Sequence, residues 1–443
     1  MFLSWRRSKL GFLPKLKKEH LPGVDSGSEI VIPSHFLCPI SLDLMKDPVI
    51  LSTGITYDRE SIEKWIEGGK FSCPVTKQDL MSFDLIPNHT LRRMIQDWCV
   101  ANHSYGIERI PTPRIPVTPY EVNDVCSRIA VATQRGDSKR CSELVGKIRN
   151  WARESERNRR CVVNGGTGIV LAASFEHFSG VSIEKHVGLL EEILLVLVCV
   201  FPISIEGLSK LGSADSLKCL VSFLMEKNLS PKQNAVFVLK ELLLVDQRYV
   251  DSLAAIEGVS EALVSIIREP LCPSATKSSL TAIFYMILPS EISEKMTLKF
   301  MELGLVSQLL DFLVDAEKSL CEKALGVLDG ICDFKQGREK LYQNALTIPL
   351  LVKKILRVSE VASEYCLSIL LKLCKSGEKG EDEARVEAAQ LGAFQKIIVL
   401  LQVGCGGDMK NKVTEMLKLL NLYKDRLDCI DSSMHFKFLK KSF

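Results

Sequence analysis

Long apolar runs are missing from this chain. The longest, Ile193 to Ile203, is about half the ~20 residues a membrane span requires, so a buried helix is expected there. The N-terminal residues mix Arg6, Arg7, Lys9, Lys15, Lys17 and Lys18 with Trp5 and Phe12 and lack the apolar core and small-residue cleavage site of a signal peptide, so secretion is not expected. A strong charge of either sign is also absent: the formal net charge of +3 is too small to imply nucleic acid binding. Cysteine is plentiful, at fifteen residues, but without the dense spacing of a disulfide scaffold. We read these as reduced, buried thiols, which points to the cytoplasm or nucleus, and none has the flanking features of an activated nucleophile. Between Pro33 and Thr76 the only cysteines and histidines are His35, Cys38 and Cys73, fewer than one closed structural zinc site of Cys and His demands. A compact unit there must be held by hydrogen bonds and packing instead of metal.

At 443 residues the chain exceeds what one hydrophobic core usually covers. Residues 1–30 form a basic leader and 31–106 a small α+β unit. A proline-rich linker at 107–119 follows, then helices over 120–423 and a basic tail at 424–443. In the first unit, Val49 to Leu51 and Asp84 to Ile86 are the short apolar stretches. One helix is expected from Asp58, as its cap, to Glu67, with Ile62, Trp65 and Ile66 on one face and Gly68-Gly69 ending it. A second begins at the Asn88 cap and buries Leu91, Ile95 and Trp98.

Beyond the linker the pattern repeats. Gly212, Gly258 and Gly304 stand about 46 residues apart, and Gly392 continues the series after a degenerate copy around Thr347, with Val352, Ile355 and Leu356 in register. At matching offsets come Leu217, Leu263, Leu309 and Ile397, then Leu220, Ile266, Phe312 and Leu400, then Val221, Ile267, Leu313 and Leu401. Each glycine is expected at positive φ between two helices. The second helices are expected over Lys232–Leu244, Thr276–Leu288, Glu322–Phe334 and Lys410–Leu420. The period fits an armadillo or HEAT solenoid whose neighbours share one long core. Gly165-Gly166-Thr167-Gly168 lacks the Gly-Lys-Ser/Thr and preceding strand of a phosphate loop and reads as a loop between repeats.

Five segments of the first unit carry a resemblance: Pro33-Ser-His-Phe-Leu-Cys-Pro-Ile-Ser-Leu, Met45-Lys-Asp-Pro-Val, Gly54-Ile-Thr-Tyr-Asp-Arg-Glu-Ser-Ile, Cys73-Pro-Val-Thr and Ile86-Pro-Asn-His-Thr-Leu-Arg. In order and spacing they resemble the U-box family, whose fold is RING-like without zinc. With the linker and repeats added, the chain is similar to plant U-box proteins with C-terminal armadillo repeats. The resemblance implies an E3 ubiquitin ligase that binds a ubiquitin-charged E2 in a shallow apolar groove. Ile40 and Leu42 would come from the first loop, Trp65 from the helix and Pro74 from the second loop. Lys77 stands where many relatives carry a cation that touches both E2 and ubiquitin, and lysine lacks the planar fork of arginine. Ser41, Asp43, Thr56, Asp58, Arg59 and Glu60 are candidates for the polar network that replaces metal, with helix capping and decoration as the plain reading of Asp58 and Glu60. The resemblance implies no cofactor, no nucleophile and no ubiquitin carried on the ligase itself: the E2 holds the thioester, and catalysis is by orientation. The helical array would recruit the protein substrate, and plant relatives commonly act in defence. A lone Trp151 in the array argues against a nuclear-import receptor. The alternative is a non-catalytic armadillo adaptor with a weakened U-box. The basic ends are expected to be solvated, with contact to an anionic lipid surface as the alternative.

Overall fold

The computed structural model describes residues 32–110, 116–270, 272–375, 381–403 and 406–422, and the chain divides into two compact units after Ile115. The basic leader and tail lie outside the described residues.

The N-terminal unit is built on a three-stranded antiparallel sheet. Its central strand β1 (Pro48–Ile50) pairs with β2 (Thr56–Asp58) on one side and β3 (Ile86–Pro87) on the other, with Val49 opposite both Tyr57 and Pro87. Strands this short have little stability of their own, so the helices supply the missing burial. Helix α1 (Arg59–Glu67) leaves β2 directly and contributes Ile62, while α2 (His89–Ala101) follows β3 and contributes Ile95 and Cys99 to a core with Met45, Val49, Leu51 and Tyr57. Asn88 caps α2 as expected, its side chain accepting from the Leu91 N–H at 3.0 Å. Asp58 does not cap α1 with its side chain, although it occupies the N-cap position; its carboxylate is used elsewhere, as described below.

The linker is shorter than the composition suggested. Ile110 is buried in the N-terminal core and Ile107 packs against it. At the other end, Pro119 is already the first residue of a helix, Pro119–Gln134, where its missing N–H costs nothing. Thr118 and Glu121 form a reciprocal capping box that fixes this start.

The C-terminal unit is helical throughout its described residues. Seven long helices, Ser138–Glu154, Ile183–Val200, Leu229–Val245, Pro273–Ile287, Lys318–Ile331, Glu360–Cys374 and Gly407–Asn421, each pack against the next in one continuous ladder. A second row, Thr167–Val181, Ala214–Met225, Val259–Arg268, Leu305–Asp315 and Thr347–Lys354, stacks in the same order. Both rows share a single core running from Val122 to Leu420. Periodicity alone suggested two helices per repeat, but a short third helix precedes each helix of the second row, at Glu156–Asn164, Ile205–Leu211, Arg248–Ala254, Ser293–Glu302 and Lys335–Tyr342. Three helices per repeat is the armadillo arrangement, not the HEAT one.

The anchor glycines turn the chain from the short helix into the next. Gly258, Gly304 and Gly392 do so at φ of +87°, +80° and +82°. Gly212 differs: its φ is −84°, and glycine is required there because a Cβ would stand 2.1 Å from Tyr249 Cε1. In the degenerate repeat Val352 and Ile355 are buried as expected, but Leu356, two residues past the helix end at Lys354, is exposed at φ +64°. Gly165 and Gly166 form a turn between helices, and the Thr167 hydroxyl donates to the Val162 carbonyl at 2.8 Å. The apolar run at Ile193 sits in the helix Ile183–Val200 with Ile193, Leu194, Val196 and Leu197 buried, and among the described residues no single helix is long and apolar enough to cross a membrane.

Candidate functional site

Two loops of the N-terminal unit repeat the same local structure. In Cys38-Pro-Ile-Ser-Leu-Asp43 the Cys38 N–H donates to the Asp43 carbonyl at 2.8 Å and the Leu42 N–H donates to the Cys38 carbonyl at 2.8 Å. In Cys73-Pro-Val-Thr-Lys-Gln78 the Cys73 N–H donates to Gln78 at 2.7 Å and the Lys77 N–H to Cys73 at 2.9 Å. Isolated bridges Leu37 to Leu44 and Ser72 to Asp79 close the two loops at their bases. The fifth residue of each is left-handed, Leu42 at φ +61° and Lys77 at +60°, a region that side chains with a Cβ rarely adopt. This geometry turns the cysteine sulfur inward and the fifth side chain outward. Cys38 and Cys73 are fully buried, and Leu42 is 72% exposed.

Hydrogen bonds converge on each sulfur. The Asp58 N–H donates to Cys38 Sγ at 3.3 Å. The Thr53 hydroxyl donates to Cys73 Sγ at 3.3 Å, and Tyr57 OH lies 3.0 Å from the same atom. Because Tyr57 oxygen accepts from the Val75 N–H at 3.3 Å, its own proton is free for the sulfur. Burial pushes the Cys73 thiol up, but donation by Thr53, Thr76 and Tyr57 outweighs it and brings the pKa down to about 6. Burial also opposes ionisation of Cys38, yet the N–H groups of Ser41, Asp58 and Ile40 leave it lowered. Cys38 and Cys73 are free and buried, as the sequence reading of the cysteines has it, whereas Cys161, Cys199 and Cys272 are only half-buried. Neither Cys38 nor Cys73 is exposed for attack on a substrate.

A carboxylate pair ties the loops to the helices. Asp58 Oδ1 accepts from the N–H groups of Lys46 and Asp47 at 2.8 and 2.9 Å, which holds the Met45-Lys-Asp-Pro segment. Asp47 in turn accepts from Arg59 Nε at 2.7 Å and from Arg92 Nη2, so one carboxylate joins the start of α1 to α2. Asn88 Nδ2 donates to Thr56 Oγ1 at 3.2 Å. Thr56, Asp58 and Arg59 thus each take part in these hydrogen bonds. Ser41 makes only a local turn, accepting from the Asp43 N–H at 3.4 Å, and the Asp43 side chain is exposed. Glu60 is on the surface, paired with Lys64 at 2.6 Å, and decorates the helix. Sequence reasoning missed Asp47, Arg92, Thr53 and Tyr57. The signal for Asp47 was present in Met45-Lys-Asp-Pro-Val, but its partner Arg92 lies 45 residues away and only the fold joins them.

The apolar candidates sit around these loops. Ile40 and Trp65 are half-buried and pack against the core. The Trp65 indole N–H donates to the Ser72 carbonyl at 2.9 Å, pinning the helix to the base of the second loop. Lys70 Nζ lies 4.1 Å and Lys77 Nζ 5.9 Å from the Trp65 ring centroid, so Trp65 and Lys77 are neighbours. Pro74 is half-buried at the start of the second loop, and Val75, unforeseen, is exposed beside it.

Comparison with known proteins agrees with both units. The U-box domain family model matches residues 32–104, and that of the plant U-box protein ARM repeat region matches residues 121–440. U-box domain-containing protein 21 of Arabidopsis thaliana is 50% identical over 95% of this chain and 95% of its own length. E3 ubiquitin-protein ligase PUB23 of the same plant is 37% identical over 92% of this chain and 97% of its own. Among solved structures, an engineered protein superposes with a TM-score of 0.50 at 15% identity over 68% of this chain and 74% of that one. Nearly full-length similarity, two matching family models and the paired-loop unit ahead of a three-helix repeat place this chain in the family of plant U-box proteins with an ARM repeat region.

Proposed function

We propose that this protein is an E3 ubiquitin-protein ligase, the activity for which its relative PUB23 is named. The observation that carries the reading is the pair of equivalent loops flanking Trp65, with Leu42 thrown outward by a left-handed backbone at the fifth position. An exposed leucine held in a strained conformation is a poor choice for stability alone, and a rigid apolar anchor suits a small protein interface. In this reading Ile40, Leu42, Trp65 and Pro74 receive the E2, and Lys77, beside Trp65, faces the E2 and its ubiquitin.

The ligase supplies no side chain to the bond-making step. The substrate lysine amine attacks the thioester carbonyl on the E2, the isopeptide bond forms, and the E2 thiol leaves. The U-box holds the charged E2 in a reactive orientation, which converts a loose encounter into an effectively intramolecular one. The armadillo ladder offers a long surface for the protein substrate. The described cysteines are all free thiols, in keeping with the cytoplasmic or nuclear location we propose. Titration of the protein with a panel of E2s tests the interface: at least one should bind, and Leu42→Ala and Trp65→Ala should each weaken it by about 2 kcal/mol, or ~30-fold. Equal binding by the wild type and both variants would sink the assignment of this surface.

A further inference from the structure

Three cavities of the helical array use their charges differently. In one of about 610 Å³, Arg149 pairs with Glu192 at 3.1 Å and Ser142 donates to the same carboxylate at 2.7 Å. In one of about 310 Å³, Lys372 pairs with Asp329 at 2.9 Å and Asp333 at 2.7 Å. The third, of about 570 Å³, lies where the helices Leu305–Asp315 and Thr347–Lys354 end, and is lined by Lys318, Lys353, Lys354 and Arg357 with Asp315 and Val358. None of those four cations has an ion-pair partner among the described residues.

Lys354 is the most telling of them. It is 9% exposed, and its ammonium has one hydrogen bond, to Cys321 Sγ at 3.6 Å, a weak acceptor. A buried ammonium without a counter-charge is costly to fold. Lysines at a helix end commonly neutralise its free carbonyls, but here Lys396 from the following repeat does so, donating to Val352, Lys353 and Ile355 at 2.6, 3.2 and 3.4 Å. The chain is also bent at this point against its preference. Leu356, at φ +64°, is held by its N–H to Ser363 Oγ at 3.0 Å, and the Arg357 N–H returns to the Lys354 carbonyl at 3.0 Å. That turn sets Arg357 on the cavity beside the three lysines.

We infer that this cavity is a binding site for a small phosphate-bearing anion. Its size is in the range of small-molecule sites, and three ammoniums with one guanidinium fork match the several acceptor oxygens of a phosphate ester. A soluble phosphate ester and the headgroup of a phosphorylated lipid share this chemistry.

The test uses the full chain in two arms. Calorimetric titration with inositol hexakisphosphate reads the soluble source, and co-sedimentation with phosphatidylcholine vesicles, with and without phosphatidylinositol 4,5-bisphosphate, reads the lipid. Saturable binding is expected in one arm, which identifies the source. The double variant Lys353→Gln/Arg357→Gln should lose at least tenfold in affinity, and Lys335→Gln, an exposed side chain on another helix and outside the cavity lining, should lose none. Lys354→Met keeps the side-chain length without the charge. It should melt no lower than wild type in the absence of ligand, yet lose the upward shift in melting temperature that the anion gives. Binding that never saturates, or that persists unchanged in these variants, overturns the site.

Discussion

Asp47 joins the start of α1 to α2 through one carboxylate. Its carboxylate accepts from Arg59 Nε at 2.7 Å and from Arg92 Nη2, and the three side chains are 23%, 16% and 12% exposed. Asp47→Ala removes two charge-assisted hydrogen bonds, each worth about 1.5–3 kcal/mol, and strands two guanidiniums in a largely buried place. Breaking a buried ion pair from one side costs about 3–5 kcal/mol, and the remaining solvent access brings our expectation to about 3 kcal/mol. A unit of this size holds roughly 4–12 kcal/mol, so the loss is a large share of its stability. Urea unfolding of the full chain with Trp5→Phe and Trp151→Phe leaves Trp65 and Trp98 as reporters of this unit. At roughly 1.5 kcal/mol per molar urea, the midpoint should fall by about 2 M. A shift under about 0.5 M would refute the claim that this ion-pair node holds the fold.

Other expectations follow from the same structure. The Cys73 thiol, held near pH 6 in the fold and higher when unfolded, binds fewer protons folded than unfolded between those values; stability should therefore rise from about pH 6 toward pH 9, and Cys73→Ser should flatten that slope in urea titrations. Trp65→Phe keeps an aromatic side chain but loses the indole N–H and its bond to the Ser72 carbonyl, and should cost at least about 1 kcal/mol by the same unfolding assay. In the array, Gly337→Ala puts a Cβ 2.0 Å from the Ile331 carbonyl oxygen, whereas Gly304→Ala meets only backbone strain at φ +80° with space around it. Thermal melting should therefore show the first as the more damaging, the second costing about 1–2 kcal/mol.

Where structure follows from local pattern, the sequence is informative. The Asn88 cap and the buried offsets Leu217, Leu263 and Leu309 need only periodicity and capping chemistry, and the structure agrees with them; of the α2 stripe Ile95 is fully buried, Leu91 and Trp98 are half-buried, and the unforeseen Cys99 joins the core. The short third helix of each repeat escaped because helices of seven to ten residues, such as Ile205–Leu211 and Ser293–Glu302, carry only two to three turns of pattern. Gly212 was misjudged for another reason: glycine serves a turn or a close approach, and only the packed Tyr249 ring tells which. At the candidate site, the likeness of Cys38-Pro-Ile-Ser-Leu to Cys73-Pro-Val-Thr-Lys was in plain view, but its meaning rests on two left-handed residues that composition does not announce. Asp58 shows how a cap position can mislead, since its carboxylate turns from the helix to the N–H groups of Lys46 and Asp47.

The most direct test of the account is single-turnover discharge of a ubiquitin-charged E2 to lysine, with and without this protein. Wild type should accelerate discharge, and Ile40→Ala and Trp65→Ala, shown folded by their unfolding curves, should abolish the acceleration without any ubiquitin becoming attached to this chain by a thiol-labile bond. Acceleration that survives both substitutions, or a reducible ubiquitin adduct on one of this protein's cysteines, would contradict it.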